Sequence, residues 1–333
     1  MPFWLHLPSE VLQNGSTETI DMILTTNRIN KAAAFFESEK GSRWIPYSTG
    51  NALIRWFCHT DFARREYFNK RELILREFAR QTGLSHIEDV FPDAFVVNFQ
   101  KGWRAAKLSY LSDKDFFRRV EVIGKQHLDN ALSNGKGVVL VNSHFGFAEI
   151  ALTLFSRLNY PLFATVVREK GANSIKVKGI KKSFEPVLLQ FKDQSNEELI
   201  RMLFKARQTL QAGGIVHLLG DGYHGKSSIS MSFLGKVRGF RPSFAELALS
   251  TGAAVVPMIA RINTRGNVSV DLYPPLDQGD ETMSHEEKIM HLLTQYLTLL
   301  SGCWKKEPQL INWGFVEKFI RQVSDADQMP DDE

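Results

Sequence analysis

His144 and Glu149 are the residues best suited to acid–base work in this chain. They lie in Val141-Asn142-Ser143-His144-Phe145-Gly146-Phe147-Ala148-Glu149, at the end of the apolar run Val138–Asn142. An imidazole changes charge near neutral pH, and a neighbouring carboxylate fixes its tautomer and favours its charged form. Five residues apart on a straight helix, the two side chains would diverge by about 140°. They meet only if His144 is still in the strand-to-helix turn, folded back over the first helical turn that carries Glu149. Gly146 makes that fold feasible. The pair is the orienter–base half of a triad, without a nucleophile. Acyl transfer from a thioester to a hydroxyl needs no enzyme nucleophile, because the acceptor oxygen attacks once a base takes its proton. The spacing alone carries no weight, since nine histidines and 37 acids among 333 residues give about one such pair by chance. Its position at a strand end gives it weight.

Other chemistries find less support. Cys58 and Cys303 form no CxxC and no disulfide framework, which fits a reducing compartment. Cys58 precedes His59, but adjacent helical residues point apart, so no thiol–imidazole pair is implied. No G-x-S-x-G elbow is present, which argues against a serine esterase. His217 and His224 flank Gly220-Asp221-Gly222 at a spacing that makes no helical metal pair. His285 and His291 read as surface positions.

The elements that must position His144 are legible in the rhythm of the chain. From residue 120, apolar runs at Val138–Asn142, Phe163–Val167, Val187–Phe191, Ile215–Leu219, Val255–Ile259 and Val268–Leu272 read as strands. Helical stretches are expected over 124–134, 147–158, 172–182, 196–212, 242–251 and 284–301. Gly213-Gly214 and Thr251-Gly252 supply helix ends. This alternation is that of an α/β fold: a mixed, largely parallel sheet covered by helices on both faces. Residues 1–119 are expected as a helical N-terminal subregion packed on a core of 120–324, and residues 325–333 as a disordered acidic tail.

Within 50–120, Arg55, Arg64, Arg65, Lys70, Arg71 and Arg76 are interleaved with Trp56, Phe57, Phe62, Tyr67 and Phe68. The charges are expected on a solvated face and the aromatics on a buried one, with a lipid-contacting face as the sharper alternative. A net charge of +4 fits anionic lipid or an acidic carrier protein without demanding either. The segment 168–182 holds six basic residues and one acid, and reads as a solvated face or a dock for such a partner. Nucleic acid fits less well, with aromatics at core-like positions and no recognisable module. The N-terminus reads as no signal peptide, and no apolar run approaches the roughly 18 residues of a spanning helix.

Four blocks in collinear order carry a family resemblance. GKGVVLVNSHFGFAEIA, residues 135–151, resembles the His-x4-Asp/Glu motif of the lysophospholipid acyltransferase superfamily. Val120–Gly124 before a helix, and Ala164–Arg168 with Asn173 beyond, are similar to its lipid A lauroyl/myristoyl acyltransferase branch. So are Leu218–Tyr223 leading to Ser232–Gly235, the stretch Leu247–Pro257, and Asn312-Trp313 through Phe319. The likeness spans roughly residues 60 to 320. Three features depart from that branch: Phe147-Ala148 stands where it has Asn-Trp, Asp221 is alone where it has two aspartates, and the membrane-anchoring helix with which it starts is not expected from these first residues.

The resemblance implies a glycerol-3-phosphate acyltransferase-like fold and an acyl transfer. Its donor would be acyl carrier protein or acyl coenzyme A, and its acceptor a hydroxyl or amine of a lipid or glycolipid. His144 would be the general base and Glu149 its partner. Arg168, Asn173 and Asp221 would bind substrate, Arg168 through an anionic group, with Asp221 near enough to orient His144 or Arg168. Neither a metal nor another cofactor is implied. The expected place is the cytoplasmic side of the cell membrane, as a peripheral protein. A thioesterase using water in the same cleft and a non-catalytic lipid-binding relative are the alternatives.

Overall fold

The computed structural model describes residues 35–36, 39–84, 87–160, 162–168, 187–191, 196–222 and 228–326. The helix expected over 172–182, Asn173, His224 and the acidic end from residue 327 lie outside the described residues.

The described residues form nine strands: β1 (Val120–Ile123), β2 (Val138–Asn142), β3 (Phe163–Arg168), β4 (Val187–Phe191), β5 (Ile215–Leu219), β6 (Ile229–Phe233), β7 (Lys236–Phe240), β8 (Ala254–Ile262) and β9 (Val268–Leu272). Seven form one sheet in the order β1-β9-β8-β2-β5-β3-β4, while β6 and β7 pair as a separate hairpin. Strands β8, β2, β5, β3 and β4 run parallel. β9 is antiparallel to β8, and β1 runs parallel to β9. The α/β expectation holds, with one antiparallel step near the β1 edge. Every residue of β2 is buried, as a strand covered on both faces requires.

The six expected strands all form, four of them with the expected bounds. Two features escaped the sequence reading. β1 has only four residues and an irregular exposure pattern, too short for a periodicity signal. The β6–β7 hairpin turns at Leu234-Gly235, both with positive φ (52° and 76°). That is the backbone of a tight hairpin turn, but leucine at its first central position gives no usual turn signature.

The principal helices are α1 (Tyr47–Cys58), α2 (Asn69–Thr82), α3 (Phe91–Asn98), α4 (Lys101–Ser109), α5 (Lys125–Ser133), α6 (Ala151–Leu158), α7 (Asn196–Gln211), α8 (Ser243–Thr251), α9 (His285–Lys306) and α10 (Trp313–Ala326). The first four form the N-terminal layer. It shares one continuous core with the sheet rather than standing apart. Trp313 of α10 meets Phe68 at 5.8 Å and Phe95 at 5.7 Å between ring centres, and Phe319 meets Phe78 at 5.2 Å. Such edge-to-face pairs favour a defined docking geometry. The chain's last described helix is thereby clasped to its first ones.

The expected division of the N-terminal aromatics holds only in part. Phe68 is fully buried, but Trp56 is 68% exposed. Arg71 is drawn inward over the Trp313 ring at 4.4 Å, and burial lowers its pKa to about 10.

Candidate active site

In a parallel sheet the strand carboxyl ends and the turns beyond them gather on one edge, and catalytic groups collect there. β2 ends at Asn142 and β5 at Leu219, paired residue for residue. His144 therefore comes two residues past one strand and Asp221 two past its neighbour. The two residues are joined twice. The His144 backbone N–H donates to Asp221 Oδ2 at 2.6 Å, and the ring Nδ1 lies 2.9 Å from Asp221 Oδ1. Asp221 has no exposure, while the His144 side chain is 44% exposed. A carboxylate at Nδ1 can only accept, so it favours the tautomer that carries its proton on Nδ1 and makes Nε2 the basic nitrogen.

This divides the carboxylate roles differently from the expectation. Glu149 is exposed, on a 3-10 turn, Ala148–Ile150, that precedes α6. Glu149 was expected as the partner of the imidazole; the carboxylate at its Nδ1 is that of Asp221. The local reason is the strand pairing: adjacent parallel strands bring their first loop residues together whatever the separation in sequence. His144 does stay in the turn, as its chemistry demanded. Gly146 has φ +71°, and a side chain there would run into the Ala260 carbonyl.

The turn is pinned throughout. Ser143 N–H donates to Asn142 Oδ1, Phe145 N–H to Ser143 Oγ, Gly146 N–H to the Leu310 carbonyl and Phe147 N–H to the Ala260 carbonyl. Together with His144 N–H on Asp221, each amide from 143 to 147 is engaged within the protein. These groups do not stand ready as donors to an oxyanion. The Gly146 carbonyl in turn accepts from the buried Lys101 ammonium at 2.5 Å.

Below the pair, Tyr296 donates its hydroxyl to the Asn142 carbonyl at 2.6 Å. Burial, and then the Asp221 charge, hold its pKa well above the usual tyrosine range, so it remains a donor. Gly220 donates to the same carbonyl, and a side chain at Gly220 would strike Val141 and the Tyr296 ring. Glycine before Asp221 is thus a packing requirement. Over the pair, the Phe315 ring of α10 stacks on His144 at 5.5 Å and 22°. Phe315 rests edge-on against the buried Trp304 at 5.6 Å.

Arg168 is the last residue of β3, at the same sheet edge. β3 pairs with β5 as far as Thr165 opposite His217, and Arg168 lies three residues beyond that pair. Its side chain and Asn173 lie outside the described residues. His217 is a core residue: it shares a hydrogen bond of 2.9 Å with Thr165, and burial lowers its pKa to about 4. His291 pairs with Asp277 at the surface. Cys58 is buried, which raises its thiol to about 12, and His59 turns away to the Arg55 carbonyl. That excludes a reactive thiolate there.

Sequence reasoning reached His144 and put Asp221 beside it as one of two uses. It missed Lys101, Tyr296 and the stacking role of Phe315. Phe315 lay inside a block the resemblance had picked out; Lys101 and Tyr296 carry no local signal, since both act across long sequence separations.

No curated protein matches the chain. The family model described as bacterial lipid A biosynthesis acyltransferase matches residues 97–299. That span is more than half of the 333 residues. It takes in α4, the His144 turn, Asp221 and most of α9, and stops before Phe315. The chain belongs to the bacterial lipid A biosynthesis acyltransferase family.

Proposed function

We propose that the protein transfers a fatty acyl group from a thioester, carried by acyl carrier protein or coenzyme A, to a hydroxyl or amine of a lipid or glycolipid, with His144 as general base. The observation that carries this reading is the half-exposed His144 ring whose Nδ1 is held by the buried Asp221 carboxylate. Nε2 takes the acceptor proton as the acceptor oxygen bonds to the thioester carbon. The C–S bond then breaks, and the imidazolium returns its proton to the leaving thiolate. Asp221 keeps the ring in the required tautomer and stabilises the imidazolium as it forms. Glu149 supplies a second carboxylate at the start of α6.

The carbonyl oxygen becomes negative in the transition state and needs donors. The engaged amides of the His144 turn leave the Arg168 guanidinium, at the end of β3, as the candidate among the groups named from sequence. Arg168, Asn173 and Asp221 are thereby the substrate-side groups, with Asp221 acting through His144.

A membrane-surface location, on the cytoplasmic face, accords with the N-terminal layer. Trp44 is 81% exposed, and Trp56 and Leu53 lie on the outer face of α1, with Arg43 and Arg55 beside them. Tryptophan with flanking cations suits an anionic lipid interface. No helix among the described residues is long and apolar enough to cross a membrane.

The test is incubation with acyl carrier protein and coenzyme A thioesters plus a bacterial lipid extract, followed by mass spectrometry. A lipid gaining one acyl mass, dependent on His144, is the expected product. Free fatty acid as the sole product would replace transferase with hydrolase.

A further inference from the structure

Arg241 is the residue that follows β7, and its backbone N–H donates to the Gly222 carbonyl at 2.9 Å. That bond seats it beside the loop whose preceding residue, Asp221, holds His144. The Arg241 side chain is half-buried, and its Nε is buried with no hydrogen-bond partner. Water does not reach that atom, so the ordinary solvation of a surface arginine leaves it unsatisfied. A buried N–H without an acceptor is costly, and folded proteins keep few of them.

Other sheltered guanidiniums in the molecule are answered from within. Arg104 donates to the Val96 and Phe99 carbonyls and to Asn51 Oδ1. Arg157 pairs with Asp113, and Arg261 with Asp271 and Glu307. For the Arg241 side chain the described residues supply neither an acid nor a carbonyl. They do leave room beside it. A side chain at Gly220 would strike Val141 and the Tyr296 ring. One at Gly222 would meet nothing closer, among the described residues, than Arg241 Cδ at 4.0 Å. The open side of Gly222 is therefore bordered by the stem of this arginine, next to the pair that does the chemistry.

A guanidinium with acceptors missing calls for an oxyanion, which its fixed fork takes through two parallel N–H···O bonds. In acyl transfer from a thioester to a lipid, the standing oxyanions are phosphate esters. One is on the phosphopantetheine arm of the donor, and others are on the headgroup of the acceptor. We propose that Arg241 is a substrate-binding residue that takes one of these phosphates and holds it beside the His144–Asp221 pair. This rests on the reading of the protein as an acyltransferase. The charge Arg241 meets is present before, during and after the reaction, so its contribution falls on binding. The charge that develops on the thioester oxygen is a separate task.

The test uses the full chain and two pairs of substrates that differ in phosphate. One pair is a fatty acyl thioester of phosphopantetheine and the same thioester of pantetheine. The other is a bacterial lipid extract before and after phosphatase treatment. Arg241→Gln is expected to lower kcat/KM about 10- to 100-fold with the substrate whose phosphate it binds, chiefly through KM. Arg241→Lys should recover part of that loss. On the phosphate-free member of that pair, wild type and Arg241→Gln should agree within about twofold. Agreement on the pantetheine thioester assigns the donor's phosphate, and agreement on the treated lipid assigns the acceptor's. A loss that persists on both phosphate-free substrates, or no loss on any, would overturn the proposal. Inorganic phosphate gives a readout that needs no turnover: it should raise the thermal midpoint of the wild type more than that of Arg241→Gln. Should Arg241→Gln fail to fold, Arg241→Lys takes its place in that comparison. Equal shifts, zero included, would overturn the proposal. A wild type that forms no acylated lipid but keeps the larger shift would retire the transfer reading and leave the phosphate site standing.

Discussion

Two carboxylates flank the His144 turn, and their settings differ in every respect. Asp221 lies past β5, has no exposure, and accepts from both the backbone and the ring of His144. Glu149 is five residues from His144 in sequence, exposed, and on the 3-10 turn Ala148–Ile150, which packs against α4. Sequence proximity favoured Glu149, and the sheet favoured Asp221. The difference shows that in a parallel sheet neighbouring strand ends are closer partners than neighbouring residues across a turn.

The largest effect should come from removing the base. His144→Ala is expected to lower kcat/KM by about 10²–10⁴ with unchanged thermal stability, read by thiol release from the acyl thioester. Next, Asp221→Asn should cost about 10² or more, because an amide can hold the ring in the wrong tautomer. Glu149→Gln should cost clearly less. Equal losses, or the reverse order, would break the contrast between the two carboxylates. Gly146→Ala should destabilise the fold by at least about 2 kcal/mol, since the new side chain meets both a left-handed backbone and the Ala260 carbonyl. Calorimetry checks this.

A core histidine gives a smaller and pH-limited effect. His217 has a folded pKa of about 4 against 6.5 when unfolded. The unfolded chain therefore binds the proton first as pH falls. Stability is complete above about pH 6.5 and declines through the window down to pH 4, by roughly 3 kcal/mol at most. His217→Asn should flatten the urea midpoint across that window. Smallest for chemistry, Trp56→Ser should leave turnover of a water-soluble thioester within about twofold. It should weaken cosedimentation with anionic vesicles.

Much of the fold was legible because its signals are local. Val138–Asn142 is a continuous apolar run, so β2 and the turn after it could be read with no knowledge of partners. His144 followed from that position. The order of strands could not be read, because the runs themselves are alike. Without that order Asp221 remained one residue between two glycines, with two uses open. Lys101 was illegible for a related reason: its burial depends on α4 docking against the turn, which no pattern within KGWRAAKLS reports. Trp56 was misplaced because helical spacing names a face but not which neighbour covers it.

The most direct test is of the imidazole itself. With 15N-labelled histidine, NMR of the wild-type protein near neutral pH should show the His144 ring protonated at Nδ1. The Nδ1 proton should be shifted downfield by its carboxylate partner. Asp221→Asn should abolish that signal while Glu149→Gln keeps the same tautomer. A proton on Nε2 in the wild type, or a signal lost with Glu149 and kept without Asp221, would contradict the account.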